Sequence, residues 1–348
     1  MRHLSVPSQE TQRVLQSLKA ESALPEGARV RTDPVHPERR LIPFTAELSQ
    51  ATINQYPVVE IDTDPPPART YKDHLSEMLP HDIASSTEWP TRHEFVGDLI
   101  LIKLDDNQRK FGPTIGEALL RQHSRTRAVF EDAGVTGTYR VRALKLLAVR
   151  DGQDSTTRTR IVEGGHHLWT DPAAVYYSSR LSHEREGTLE CAKKLRQELG
   201  RPLAICDPYA GVGPSLLPLV AEPDLLGDLF AGDLNPAAVE LLRENISHPE
   251  AIIECIDARE LKARPEMYQR YDLLLVNIPH NTLAHLPSLI PLVRPNGIVR
   301  GWAVIEDEEF ESAQLQLCSI LNPDAIFEIR RSYSASANLC RFEARNAP

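Results

Sequence analysis

The sequence predicts an α/β fold, in which a doubly wound, mainly parallel sheet is covered by helices on both faces. Three observations support this prediction. Apolar runs of strand length alternate with helical segments over the second half of the chain. These runs are nearly continuously apolar, as expected of parallel strands that are buried on both sides. The last two runs are joined only by "SASA", a link that permits an antiparallel hairpin but no crossover helix.

Three regions are predicted along the chain. Residues 1–90 are rich in Pro and polar residues, include "TDPPPART" as a linker and "YPVVEI" as a strand, and are interpreted as an accessory region or lid. Residues 91–175 are predicted to form a small α+β module. In this module "HEFVGDLILIKL" is predicted as one buried strand and "TIGEALLRQH" as an amphipathic helix, and "TYRVRALKLLAV" and "TRIVEGGHHLWTD" follow as further strands.

Residues 176–348 form the predicted α/β domain. A mostly helical segment, "DPAAVYYSSRLSHEREGTLECAKKLRQELG", leads into it. Seven strands are predicted to follow, at "PLAICDPY", "LFAGDLN", "AIIECIDA", "YDLLLVNIP", "GIVRGWAVI", "AIFEIRRSY" and "NLCRFEAR".

The composition is typical of a soluble globular protein, with 41% hydrophobic and 25% charged residues among 348. The chain has no apolar run long enough to span a membrane and no secretory signal at its start, so no membrane partner is expected. Five scattered cysteines favour free thiols in a reducing cytoplasm over a disulfide framework or a metal site. The formal net charge is −10, whereas proteins that bind nucleic acid normally carry a basic surface. The charge therefore disfavours nucleic acid as a partner.

The loop after the first predicted strand of the α/β domain indicates the ligand, because ligands of such sheets bind at the carboxyl ends of the strands. In "DPYAGVG", Gly211 and Gly213 allow a tight turn and close approach of the backbone. The loop lacks the Lys of a phosphate loop, and Leu216 replaces the third Gly of the dinucleotide fingerprint. Asp207 would face an ammonium group. The loop therefore suits a nucleoside-linked amino acid, S-adenosylmethionine (SAM).

The next strand ends fit the rest of SAM. Asp233 in "GDLNP" suits the ribose hydroxyls, Asp257 in "IDARE" suits the adenine amino group, and "NIPH" would lie at the reacting end. Each residue alone has an ordinary structural explanation, such as a helix N-cap, but four strand ends in this order favour a SAM site in a class I SAM-transferase, Rossmann-like domain. The predicted SAM-binding residues are Asp207, Tyr209, Gly211, Gly213, Asp233, Leu234, Asn235, Asp257, Ala258, Asn277 and Pro279.

The segments "DPAAVYYSSRLSHERE", "DPYAGVGPSLLPL", "GDLNPAAVELLRENI" and "VNIPHNTLAHL" resemble, in order, motifs of the tRNA guanine-37 N1-methyltransferases of archaea and eukaryotes. They also resemble the related enzymes that transfer the 3-amino-3-carboxypropyl group of SAM in wybutosine synthesis. The resemblance runs from about Glu94 to Pro348. It implies that Glu184 is the general base for the guanine and that Arg180 positions it. Two positions depart from the family pattern: Ser215 replaces an aromatic residue, and "NIPH" replaces "NLPA".

Three functions are compatible with this pattern, and the acidic charge favours a small-molecule reaction. The first hypothesis is an azetidine-2-carboxylate synthase of bacterial secondary metabolism, in which the amine of SAM attacks its own Cγ and methylthioadenosine leaves. Tyr176 and Tyr177 could then contact the sulfonium by cation–π interaction, Asn277 could hold the amine, and His183, Glu184 and His280 are candidate bases. The alternatives are tRNA guanine-37 N1-methylation, which releases S-adenosylhomocysteine, and transfer of the aminocarboxypropyl group.

Overall fold

The computed structural model describes residues 2–25, 28–45, 55–61, 70–178, 181–322 and 324–346. The chain divides into two compact units, Met1–Arg69 and Thr70–Pro348. The predicted linker "TDPPPART" lies outside the described residues except for Thr70. The division of the chain at residues 90 and 175 therefore stays a prediction.

The first unit is an antiparallel sheet in the order β2-β3-β1-β4 with one described helix. Val14 and Leu18 of that helix are buried together with Leu4, Val6 and Ile42 of the strands. The predicted strand "YPVVEI" corresponds to β4. The elements are β1 (Arg2–Pro7), α1 (Thr11–Ala20), β2 (Arg31–Thr32), β3 (Arg39–Pro43) and β4 (Val58–Glu60).

The second unit begins with a module built on a sheet in the order β5-β6-β7-β8. The prediction of one strand in "HEFVGDLILIKL" is wrong, because the positive φ of Gly97 (+59°) reverses the chain and gives the antiparallel pair β5 and β6. The predicted helix is present as α5. The elements are α2 (Tyr71–Met78), α3 (His81–Ser86), β5 (His93–Val96), β6 (Leu99–Ile102), α4 (Asp106–Arg109), α5 (Gly112–Gln122), β7 (Ala128–Thr136), β8 (Val141–Val149) and the separate hairpin β9 (Thr159–Glu163) and β10 (His166–Thr170).

A seven-stranded sheet in the order β13-β12-β11-β14-β15-β17-β16 follows. The first five of these strands in chain order are parallel and β17 is antiparallel to both neighbours, which confirms the predicted sheet and its final hairpin. The strands are β11 (Leu203–Asp207), β12 (Leu226–Asp233), β13 (Ala251–Cys255), β14 (Tyr271–Val276), β15 (Val293–Glu306), β16 (Ile326–Ser332) and β17 (Ala337–Arg345). The helices are α6 (Ser182–Leu199), α7 (Leu217–Ala221), α8 (Pro236–Asn245), α9 (Thr282–Leu289) and α10 (Phe310–Ile320).

Both faces of this sheet are buried, and alternate residues of each strand point to opposite faces. Ile205 and Leu273 pack in the core that includes Leu195 of α6. Cys206 and Leu274, their sequence neighbours, pack in the opposite core, against α9 and α10. The chain order reverses at β11, which lies between β12 and β14, so a crevice for a ligand is expected at the carboxyl ends of these strands.

Candidate active site

The glycine loop after β11 turns through two residues with positive φ, Gly211 (+56°) and Gly213 (+90°). A Cβ atom built on Gly213 would lie 2.8 Å from Cδ1 of Leu242, so this glycine lets the loop pack on α8. A Cβ atom built on Gly211 would meet nothing within 4 Å, so this side of the loop is open. One glycine therefore serves packing, and the other leaves backbone accessible to a ligand.

Asp207, which is buried, and Asp233, which is half-buried, place two carboxylates beside this loop. Asp207 is 2% exposed, and burial raises its pKa to about 7, although the N–H of Tyr209 donates to it over 3.2 Å. Burial also raises the pKa of Asp233. The backbone N–H groups of Asn235 and Gly211, which donate to it over 2.8 and 2.9 Å, act in the opposite direction and only partly offset this rise. Within the described ranges no Lys or Arg forms an ion pair with either carboxylate. The pair is suited to a cationic, hydroxyl-bearing ligand such as SAM.

Asp257 differs from these two aspartates because it already has a cationic partner. Nη2 of Arg259 lies 2.5 Å from its Oδ2, and the hydrogen bonds from Arg259 lower the pKa of Asp257 to about 2. The predicted contact with adenine would therefore share this carboxylate with Arg259. Ala258 follows as the buried start of a short 3₁₀ helix. The hydroxyl of Tyr209 lies 2.7 Å from Nδ1 of His285, a residue that the sequence analysis missed.

Two further predicted SAM contacts, Leu234 and Asn235, follow β12. Leu234 is 50% exposed at the strand end, as a residue that covers a ligand would be. Asn235 is buried, and its side chain caps α8 by accepting from the N–H of Ala237 and donates to the carbonyl of Ala174 over 2.8 Å. Its described contacts thus hold the loop, and its contact with SAM stays a prediction.

The "NIPH" segment connects β14 to α9. The N–H of Val304 donates to the carbonyl of Pro279 over 2.8 Å and fixes the segment against β15. Nε2 of His280 lies 2.9 Å from the hydroxyl of Tyr333, which Nη2 of Arg140 approaches to 3.5 Å. Burial and the charge of Arg140 lower the pKa of His280, which favours the neutral imidazole. The register places Asn277 immediately after the pair formed by Val276 and Gly301.

The contacts of His280 come from distant loops that carry no local sequence signal. Arg140 lies in the turn before β8, and Tyr333 lies in the link between β16 and β17. The structure brings both to the reacting end of the predicted SAM site. Sequence reasoning missed both residues.

Glu184 lies in the first turn of α6 and is 8% exposed. Its Oε1 accepts a hydrogen bond from Nε of Arg330 over 2.7 Å, and its Oε2 accepts one from Nε1 of Trp302 over 3.1 Å. Burial alone would raise the pKa of Glu184, but these hydrogen bonds lower it. Arg180 lies outside the described residues, and the described helix begins at Ser182, so the predicted helical pairing of Arg180 with Glu184 stays a prediction.

The two tyrosines before α6 have different surroundings. Tyr176 is 56% exposed. The hydroxyl of Tyr177 donates to Glu163 over 2.5 Å, and the guanidinium carbon of Arg185 lies 5.5 Å from the centroid of its ring. Tyr177 already has a cation from the protein at its ring, and its contact with a sulfonium stays a prediction.

Residues 159–321 match the TRM5/TYW2 methyltransferase domain, and residues 71–155 match the TYW2 N-terminal domain. The chain belongs to the TRM5/TYW2 methyltransferase family. This membership confirms the resemblance found in the sequence, the class I fold and, at the level of the family, the expectation of a SAM-dependent transferase.

Individual relatives point in the same direction. Over 214 residues the chain is 27% identical to "tRNA (guanine(37)-N(1))-methyltransferase Trm5b" of Pyrococcus abyssi. This alignment covers 60% of this chain and 59% of that protein. Over 309 residues it is 26% identical to "tRNA (guanine(37)-N(1))-methyltransferase" of Entamoeba histolytica. This alignment covers 85% of this chain and 77% of the relative. The fold resembles that of aTrm5 in its complex with tRNALeu, with a TM-score of 0.71, 20% identity and coverage of 99% and 100%.

These relatives correct two expectations. The prediction of an azetidine-2-carboxylate synthase is wrong, and so is the prediction that tRNA is disfavoured as a partner. The relatives give no support to a role in secondary metabolism. The error came from the whole-chain charge, which is unevenly distributed. Residues 179–348 contain 25 acidic and 17 basic residues, whereas residues 1–178 contain 24 and 22.

Neither a metal cluster nor a membrane span is found in the described part of the chain. None of its His, Cys, Asp and Glu residues form a group of three or more that could hold a metal ion. None of its helices is long and apolar enough to cross a membrane.

Proposed function

We propose that this protein transfers the methyl group of SAM to N1 of guanine 37 in tRNA. The observation that carries the proposal is the carboxyl edge of the sheet, where Asp207 and Asp233, neither of which pairs with a Lys or Arg among the described residues, lie beside an open glycine loop. The names of the relatives support the acceptor. We propose the cytoplasm as the place of action, in keeping with the five free cysteines.

The donor side is assigned to the loops after β11, β12 and β13. Asp207 would accept hydrogen bonds from the ammonium group of SAM, and Asp233 would accept one from a ribose hydroxyl, beside the backbone N–H groups that already donate to it. The open side of Gly211 leaves room for the ligand against the backbone. SAM, when bound here, supplies an electrophilic methyl group.

The acceptor side is assigned to Glu184, His280 and Tyr333. Glu184 is ionised at neutral pH and can accept a proton. His280 is a second candidate base, since its lowered pKa keeps it neutral. Tyr333 is 43% exposed and offers a ring on which an unstacked base could lie.

The test is incubation of the protein with SAM and two tRNA transcripts that differ only in having G or A at position 37, followed by nucleoside mass spectrometry. We expect 1-methylguanosine in the G37 transcript only, with S-adenosylhomocysteine in equal amount. Methylation that is equal in both transcripts, or no methylated nucleoside in either, would contradict the proposal.

A second candidate is transfer of the aminocarboxypropyl group, which the match of residues 71–155 to the TYW2 N-terminal domain favours. The two reactions use the same donor loops but break different bonds of the sulfonium. The by-product separates them: methylthioadenosine with a tRNA of increased mass would favour this second candidate.

A further inference from the structure

The C-terminal hairpin contacts helix α6 through ion pairs at both ends of that helix. At its first turn, Arg330 of β16 pairs with Glu184. At its last turn, Arg345 of β17 pairs with Glu198. The first pair is largely enclosed, with a Glu184 side chain 10% exposed, whereas both side chains of the second pair are about half exposed. Both pairs join the hairpin to α6, the first through β16 and the second through β17, and only at the first is the acidic side chain enclosed.

A network of charges holds the partner of Glu184 in place. Glu328 accepts from Nη1 of Arg330 over 3.3 Å and from Nη2 of Arg341 over 2.5 Å. Arg341 also lies 4.0 Å from Oε2 of Glu184. The charged groups that face Glu184 are therefore Arg330 of β16 and Arg341 of β17, with Glu328 behind them.

The third strand of the network, β15, contributes Trp302 and Arg300. Trp302 is 4% exposed, and its indole N–H is the second donor to Glu184. Arg300 pairs with Glu343 and donates to Thr188 over 3.2 Å, and its guanidinium carbon lies 5.8 Å from the centroid of the Trp302 ring. On α6 itself, the side chain of His183 is 91% exposed and Arg185 pairs with Glu163.

The two donors to Glu184 bind different oxygens, so the carboxylate is fixed in both position and rotation. Each oxygen keeps one lone pair, since a carboxylate oxygen can accept two hydrogen bonds. The parallel register of β14 and β15 pairs Val276 with Gly301, which places Trp302 level with Asn277. The fixed carboxylate therefore belongs to the same level of the sheet as the reacting end of the predicted SAM site.

We propose that Arg330 and Trp302 are positioning residues, which orient the Glu184 carboxylate and keep it ionised so that it can take the proton of the target guanine. This inference rests on the proposed function. As N1 of the guanine bonds to the methyl carbon, its N–H proton goes to Glu184 and the electron pair of the broken sulfur–methyl bond stays on sulfur. Arg330 and Trp302 act through Glu184.

The first test does not depend on activity, because Trp302 reports directly on its hydrogen-bond partner. The fluorescence of Trp302, taken as the difference between the wild type and Trp302→Phe, is titrated with acid. Arg330→Met should move the transition to higher pH by about one unit or more, because an opposite charge within hydrogen-bond distance lowers a carboxyl pKa by about 1–3 units. Arg330→Lys should move it less.

The second test is the pH dependence of single-turnover methylation at saturating SAM and tRNA. Arg330→Met should shift the acidic limb of the rate in the same direction, and Arg330→Lys should restore part of the shift. Arg345→Met, which removes the pair at the other end of α6, should leave both profiles unchanged. If Arg330→Met fails to fold by circular dichroism, Arg330→Lys carries the same test.

The outcomes separate the two proposals. Profiles of Arg330→Met and Arg330→Lys that match the wild type in both tests would overturn the positioning role, whatever the substrate. A shifted fluorescence transition in a protein that never methylates tRNA would instead overturn the proposed function. A shift of equal size in Arg345→Met would show a general effect of charge and would also overturn the positioning role.

Discussion

Asp207 and Glu184 are both buried carboxylates, 2% and 8% exposed, yet their pKa values are shifted in opposite directions. Asp207 accepts a single described hydrogen bond, from a backbone N–H, and burial raises its pKa to about 7. Glu184 accepts from Arg330 and Trp302, which more than offset burial and lower its pKa. The difference lies in the partners of the two carboxylates.

We interpret this difference as the difference between a carboxylate that binds a ligand and one whose cationic partner is supplied by the protein itself. A buried charge without a partner destabilises the protein, whereas a buried charge in a satisfied network does not. On this reasoning Asp207 lacks the cation that SAM supplies, while Glu184 already has its cation. The loops that would bind SAM are therefore predicted to be strained electrostatically until SAM binds.

The largest effect is expected for Asp207→Asn. The affinity for SAM should fall about 100-fold, because a buried charge pair is lost. The unliganded protein should at the same time become more stable near neutral pH. A raised carboxyl pKa means that the folded protein loses stability as the pH rises towards about 7, and Asn removes this loss. Calorimetry for SAM and thermal denaturation without SAM measure the two effects.

Asp228→Asn is the matched control for that change. Asp228 lies in the same sheet but pairs with Arg270 over 2.8 Å. Its replacement should leave the affinity for SAM unchanged and lower the melting temperature slightly. If Asp207→Asn lowers the melting temperature as well, the contrast between the two carboxylates is refuted.

The two loop glycines give the next largest effect. Gly213→Ala should cost roughly 2 kcal/mol of unfolding free energy, because the left-handed backbone is strained and the new Cβ would meet Leu242 at 2.8 Å. Gly211→Ala should cost only about 1 kcal/mol, from the backbone alone, since its Cβ meets nothing within 4 Å. The second variant should nevertheless weaken SAM binding, because it adds an atom on the open side. Equal stability in urea titrations would contradict this assignment.

A smaller effect on stability, opposite in sign to that of Asp207→Asn, is expected for Glu184→Gln. It should destabilise the protein by roughly 1–2 kcal/mol at neutral pH, because Arg330 and Trp302 lose an ionised acceptor. A carboxyl group whose pKa is lowered by folding stabilises the folded protein at pH values above its unfolded-state pKa. This stabilisation is lost as the pH falls through the folded-state pKa. The difference from the wild type should therefore shrink on acidification, as urea titrations at several pH values can measure. A difference that grows in acid would contradict the charge assignment.

The positions of Asp207 and Asp233 in the fold could be predicted from the sequence because each is the last residue of a strand. The strands β11, β12 and β14 are strongly apolar, and parallel pairing brings their carboxyl ends to one edge of the sheet. Asp207 and Asp233 could therefore be placed at this edge without any three-dimensional information, and their contact with SAM stays a prediction. Asp257 has different surroundings, because it pairs with Arg259. This difference depends on side-chain contacts that the sequence pattern does not predict.

The acceptor side could be predicted only in part. Glu184 is proposed on the basis of a family motif, but its partners Trp302 and Arg330 are 118 and 146 residues away in the sequence. Arg330 lies on a strand of ordinary appearance, where an arginine usually faces solvent. The turn at Gly97 was missed for a different reason, since a single glycine inside an apolar run rarely predicts a chain reversal by itself.

The most direct test of the contrast is the affinity of the wild type and Asp207→Asn for SAM, measured by calorimetry between about pH 5.5 and pH 8.5. We predict that the wild type binds more tightly as the pH rises towards about 7, where Asp207 loses its proton. Binding should weaken again as the amine of SAM deprotonates, near pH 7.7–8.0 for an α-amino group. The variant should bind weakly, with a flatter profile below about pH 7. Equal affinity and an identical pH profile in the two proteins would contradict the assignment of Asp207 to the ammonium group.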